Sequence, residues 1–196
     1  MKQSQFTKDG FGVLPFATKQ QFYEWMLKNH QDAPGLWLRL YKKNSSKASI
    51  NWEQAVEVLL CFGWIDSVVN KYDDISFIQR VTPRRKRSVW SKKNCATVER
   101  LIKEKLMHPS GLAQVEAAQA DGRWEAAYDS PKDMKVPDDF IKLLADYPKA
   151  EAFFKTLNKT NTFAIAFRLN TAKKPETRER RIQSILAMLS EGKKLY

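Results

Sequence analysis

Trp64-Ile-Asp-Ser-Val-Val-Asn70, then Lys71-Tyr-Asp-Asp74, then Ile75-Ser-Phe-Ile-Gln-Arg-Val81, decide the fold. Two apolar runs flank a short polar turn, and that pattern predicts an antiparallel hairpin. Thr82 and Pro83 follow. Proline has no N–H to donate, so pairing stops there. The chain then turns strongly cationic: Arg84-Arg85-Lys86-Arg87-Ser88-Val89-Trp90-Ser91-Lys92-Lys93-Asn94. A loop this charged, held between a strand and a helix, is where an anionic partner is expected to dock.

Upstream, Leu36-Trp-Leu-Arg-Leu-Tyr41 alternates with period two and adds a third strand. Thr18 and Gln21 form a capping-box pattern opening a helix over 18–30, ended by Asp32-Ala-Pro-Gly35. Asn51 and Gln54 repeat the box before a strongly apolar helix through Ala55, Val56, Leu59, Leu60 and Phe62, which Gly63 stops. Downstream, Ser91 is expected to cap a helix carrying Cys95, Val98, Leu101, Ile102 and Leu106 on one face. Pro109, Pro137, Pro148 and Pro175 each sit where a helix begins. Thr160 is expected to cap a helix that turns Phe163, Ala164, Phe167 and Leu169 inward.

The expected fold class is therefore α+β. A small antiparallel β-sheet with covering helices forms the N-terminal half, and a helical bundle forms the C-terminal half. The expected division is a flexible N-terminus over 1–17, an α+β core with hairpin and basic loop over 18–131, and a C-terminal helical subdomain over 132–196. Residues 130–136 are the candidate linker.

The chain has 196 residues, 43% of them hydrophobic, enough for a real core. Thirty-four lysines and arginines against 22 acids give a formal charge of +12, which favours anionic partners and opposes capture of cationic peptides. Two cysteines, Cys61 and Cys95, are too few for a disulfide scaffold or a zinc ribbon. The first ten residues contain no apolar run and no stretch approaches a membrane span, so a cytoplasmic protein is expected. His30 and His108 have no metal-ligand spacing, and neither a nucleophile elbow nor a phosphate or dinucleotide glycine loop occurs. Neither a cofactor nor a catalytic residue is expected.

The candidate binding site lies where the hairpin ends meet. Trp64 and Asp66 begin one strand; Arg80 and Thr82 end the other, and Arg84 continues it. Arginine forks recognise carboxylate or phosphate with paired hydrogen bonds. Asp66 would orient one arginine, Arg87 and Lys92 would add charge, Trp90 would offer a flat stacking surface, and Ser91 a hydroxyl. The bland alternative is a solvated loop over structural tryptophans, with Asp66 and Arg80 pinning the hairpin. A secondary basic face is expected at Lys174, Arg178 and Arg181, the last two one helical turn apart.

Several blocks carry a family resemblance: Gly63-Trp-Ile-Asp66, Gln79-Arg80-x-Thr82-Pro83-Arg84, Trp90-Ser91-Lys92-x-Asn94, Asp121-Gly-Arg-Trp124, Val136-Pro-Asp138 and Thr171-Ala-Lys-x-Pro175-Glu-Thr-Arg178-x-Arg180. In this order they resemble the YdeI/OmpD-associated, or bacteriocin-protection, family, from about residue 20 to the end. The resemblance implies a role in resistance to bacteriocins or antimicrobial peptides, and an outer-membrane porin as partner. It brings no catalytic set. The expected function is a non-catalytic binding protein of that type, with an arginine-rich site for an anionic ligand or an acidic protein surface. A nucleic-acid or nucleotide-phosphate binder is the first alternative. An enzyme using Asp66 as base beside the arginines is the second.

Overall fold

The computed structural model describes residues 7–129 and 133–195. Two compact units form: Met1–Trp90 with Asn94–Ala126, and Ser91–Lys93 with Ala127–Tyr196. The first holds strands β1 (Thr7–Lys8), β2 (Phe11–Pro15), β3 (Leu36–Tyr41), β4 (Trp64–Lys71) and β5 (Ser76–Pro83), with helices α1 (Lys19–Asn29) and α2 (Trp52–Cys61). Helices α3 (Lys92–Lys103) and α4 (Pro109–Ala120) follow. The sheet order is β1-β2-β3-β5-β4. The fold is α+β, with several helices in the C-terminal half.

Two features depart from expectation. Residues 7–15 are not a flexible tail: Thr7 pairs with Gly12 and Lys8 with Phe11 across a two-residue Asp9-Gly10 turn, both with positive φ (51° and 77°). That is the backbone a right-twisted hairpin needs, and Asp-Gly supplies it. Residues 1–6 of the expected tail, and 130–132 of the expected linker, lie outside the described residues. The sheet is also mixed rather than antiparallel, because β2 runs parallel to β3, with Val13 opposite Trp37.

The helix starts follow side-chain chemistry. Thr18 accepts from the Gln21 amide at 3.2 Å, and Gln21 reaches back to the Ala17 amide at 3.0 Å. Asn51 and Gln54 close a reciprocal box at 2.8 and 3.0 Å. Gly63 (φ +73°) ends the turn after α2.

Register assigns the sheet's two faces. Leu36 opposes Val81, Trp37 opposes Arg80, and Ile78 opposes Arg39. Side chains directly opposite share a face, and neighbours along a strand alternate. One face therefore carries Val13, Trp37, Ile78 and Arg80, where Val13, Trp37 and Ile78 form a small core with Phe11 and Tyr72. The other carries Leu36, Val81, Trp64 and Asp66, since Trp64 opposes Pro83 and Asp66 opposes Val81. Helix α1 lies on that second face: Trp25 meets Trp64 edge-on at 6.3 Å, and the Trp64 indole donates to His30 O at 3.3 Å.

The second unit contains α5 (Asp138–Leu144), α6 (Pro148–Phe154), α7 (Lys159–Asn170) and α8 (Pro175–Ser190). Its core joins Phe140, Leu144, Ala150, Ile165, Leu169, Ile182, Ile185, Leu186 and Leu189. Helix α7 corrects two expectations. Asn158, not Thr160, supplies the cap, accepting from the Asn161 amide at 3.0 Å. The buried line is Asn161-Ile165-Leu169 at i,i+4 spacing, with Ala164 and Ala166 beside it. Phe163 and Phe167 are only half-buried, and Phe167 packs edge-on against Tyr128 at 4.9 Å.

Candidate functional site

The expected cluster at the hairpin ends does not converge on one spot. Asp66 and Arg80 fall on opposite faces, because Asp66 is level with Val81 and Arg80 is the next residue. The Arg80 guanidinium lies over the Phe11 ring at 4.7 Å. Thr82 shares that face, against Gly35, where a Cβ would sit 2.7 Å from the Phe11 ring and 3.1 Å from the Thr82 methyl. Trp64 is 1% exposed and belongs to the core.

Asp66 is half-buried on the helix-covered face. Burial pushes its carboxyl above the usual range; its own backbone hydrogen bond and the Arg84 charge pull the other way. The cation acting on Asp66 is thus Arg84 rather than Arg80. A carboxylate separated from Arg80 by the sheet cannot share a substrate with it, so of the expected arginines it is Arg84 that stands with Asp66.

Arg84 organises the basic loop from below. It is 6% exposed, its guanidinium sits 3.6 Å from the centre of the Trp90 ring, and its Nη1 donates to Val89 O at 3.2 Å. Its backbone N–H donates to Gly63 O at 3.0 Å, fixing the chain as it leaves β5. Trp90 is 1% exposed and rests against Trp124 at 5.0 Å. A buried ring cannot stack on an incoming base, so the expected stacking surface is absent. The Trp90 face is already taken by Arg84, a cation–π arrangement that strengthens when water is excluded.

Above this anchor the loop closes as a turn. Ser88 N donates to Arg85 O at 2.9 Å, and the Arg85 amide donates to Ser88 Oγ at 3.0 Å. Arg123 reaches Ser88 O at 3.0 Å while its Nε holds Asp121 at 2.7 Å. Arg123 was missed by sequence reasoning, although the Asp121-Gly-Arg-Trp124 block was its signal. Arg85, Lys86 and Arg87 are all exposed, and among the described residues none of them has an ion pair. Ser91 and Lys92 fall in the second unit: Ser91 forms a β-bridge with Tyr128, and Lys92 pairs with Asp129 at 2.6 Å.

The secondary basic face is also rearranged. Lys174 stands at the N-cap position of α8, and Arg178 is tied to Asp139 at 2.7 Å. Arg181 turns to the end of α7, donating to Arg168 O at 2.5 Å. The first unit holds an apolar cleft of about 560 Å³ lined by Lys19, Tyr23, Val58, Cys61, Leu101 and Leu106. Burial pushes the Cys61 thiol up to about 11, so it is protonated there. Among the described residues no three metal-ligating side chains gather, and no helix is long and apolar enough to cross a membrane.

Comparison with family models gives two matches. The model described as Domain of unknown function (DUF8412) matches residues 14–114, just over half of the chain. The model described as Bacteriocin-protection, YdeI or OmpD-Associated matches residues 133–192. The resemblance read from the sequence is thus matched over the C-terminal part, while the blocks at 63–94 lie under the other model. Searches of curated proteins and of solved structures returned no match.

Proposed function

We infer function from one premise: the chain belongs to the family described as Domain of unknown function (DUF8412). With the bacteriocin-protection match over 133–192, we propose a non-catalytic binding protein of that type, which docks an acidic protein surface through its basic loop. The observation that carries this reading is the contrast within one loop. Arg84 and Trp90 are buried and locked, whereas Arg85, Lys86 and Arg87 stand exposed on the turn they support, with no ion pair among the described residues. A pre-ordered cationic turn loses little entropy on binding and attracts acidic partners over distance.

Carboxylates fit this turn better than single-stranded nucleic acid. Base stacking contributes much of the affinity for single strands, and the loop's tryptophan is covered. Arginine forks accept carboxylates without a stacking platform.

The test is fluorescence anisotropy with a labelled polyglutamate peptide and, beside it, a DNA single strand of equal charge. Polyglutamate should bind at about 20 mM salt and release steeply as salt screens the contact. Equal or tighter binding of the DNA strand would transfer the reading to nucleic acid. Absence of binding to either would end it. The biological part is checked in cells: deleting the gene should raise sensitivity to bacteriocins, and unchanged sensitivity counts against the protective role.

A further inference from the structure

The second unit contains a cleft of about 200 Å³ walled by Arg168 of α7 and by Arg180, Arg181, Ser184 and Ile185 of α8. Its geometry follows from helix spacing. Arg180 and Ser184, like Arg181 and Ile185, are four residues apart and so lie one turn above each other. Ile185 is buried in the core and fixes that side of α8, while Arg168, Arg180 and Ser184 are exposed at the mouth.

Arg181 is already oriented. Its Nη1 donates to Arg168 O at 2.5 Å, near the C-terminal end of α7, and lies 3.4 Å from Thr171 Oγ1. A cation there is favoured by the free carbonyls of the helix end. One guanidinium nitrogen is used in this way, and the others remain on a rigid fork. Among the described residues neither the Arg168 nor the Arg180 side chain has an ion pair. Of the neighbouring acids, Asp139 holds Arg178 and Glu179 accepts from Gln183 Nε2 at 2.9 Å, while Glu176 stands exposed one turn before Arg180 with no ion pair among the described residues. Three arginines thus border one small cavity, and none of the residues that wall it carries a carboxylate.

We infer that this cleft binds a compact tetrahedral oxyanion: phosphate, or the terminal phosphate of a larger molecule. Size selects the class. At about 30 Å³ per water, the space holds roughly six or seven waters, and it falls below the ~300 Å³ at which drug-sized or cofactor pockets begin. Chemistry selects the geometry. Guanidinium forks arriving from two helices, with the Ser184 hydroxyl as a further donor, match an anion that presents acceptors in several directions rather than in one plane. The inference does not rest on the reading of the basic loop.

The experiment is isothermal titration of the whole protein with inorganic phosphate, glucose 6-phosphate and acetate, at ionic strength held constant with chloride. Phosphate or glucose 6-phosphate should bind at least tenfold more tightly than acetate. The Arg168→Ala/Arg180→Ala double variant should weaken that binding at least tenfold. Both positions are exposed, so the variant keeps its fold, checked by circular dichroism; Arg181 is left intact because it also holds the end of α7. Tighter binding of glucose 6-phosphate assigns the site to a terminal phosphate, and tighter binding of inorganic phosphate to the free ion. No binding of either, equal affinity for acetate, or unchanged affinity in the folded double variant overturns the inference.

Discussion

Replacing Arg84 by alanine tests how the basic loop is held. The side chain is almost fully buried, stacked on Trp90 at 3.6 Å and bonded to Val89 O at 3.2 Å. A desolvated cation–π contact contributes about 2 kcal/mol. A hydrogen bond from a charged donor contributes about 1.5–3 kcal/mol. Relief of the guanidinium's own burial offsets part of that sum, so the expected net loss is about 2–4 kcal/mol. Arg87→Ala, an exposed change on the same loop, should stay within about 0.5 kcal/mol. Removing Arg84 also takes away the cation that opposes the rise of the Asp66 carboxyl, so that pKa should climb further. The measurement is denaturant unfolding followed by tryptophan fluorescence and far-ultraviolet circular dichroism. A loss below about 1 kcal/mol for Arg84→Ala, or one equal to that of Arg87→Ala, would refute the anchor.

Other outcomes follow from the same structure. Gly111→Ala should destabilise by about 2–3 kcal/mol despite alanine's better helix propensity, because the new Cβ would lie 2.1 Å from Cys61 O, a backbone atom that cannot swing away; unchanged denaturant stability would contradict that packing. Burial raises the Asp66 pKa on folding, so its contribution to stability is fully present below the ordinary carboxylate range and is lost as pH rises through the raised value. Asp66→Asn should therefore gain in melting temperature over the parent between about pH 3.5 and pH 7, and a gain that shrinks with pH reverses the sign. Both Cys61 and Cys95 are buried, with thiols pushed up to about 11. Neither should react with a disulfide reagent at neutral pH until denaturant is added; rapid native-state labelling would mean the thiols are accessible.

Local chemistry made much of this fold readable. The Asn51–Gln54 box, the stop at Gly63 and the period-two run at Leu36–Tyr41 each depend on residues close in sequence, and each stands where expected. The Asp9-Gly10 turn is equally local, but its flanks, Lys8 and Phe11, lack the apolar alternation that marks strands in a sequence. Register was harder. Strand ends that meet do not thereby share a face, and placing Asp66 beside Val81 rather than Arg80 is a one-residue matter that reverses every side chain. Trp90 shows another limit. An aromatic residue inside a cationic run fits both an exposed platform and a buried anchor, and only the contacts with Arg84 in the same loop and with distant Trp124 decide. In α7 the bulky phenylalanines drew the inward face toward themselves, whereas the slimmer Ile165–Leu169 line fills the core.

The most direct test of the binding account is the affinity of labelled polyglutamate for the parent protein and for an Arg85→Ala/Lys86→Ala/Arg87→Ala variant at low salt. These three side chains are exposed, so the variant should unfold like the parent while its affinity falls at least tenfold, a loss of about 1.4 kcal/mol or more. Undiminished affinity in the folded variant would contradict docking through this loop.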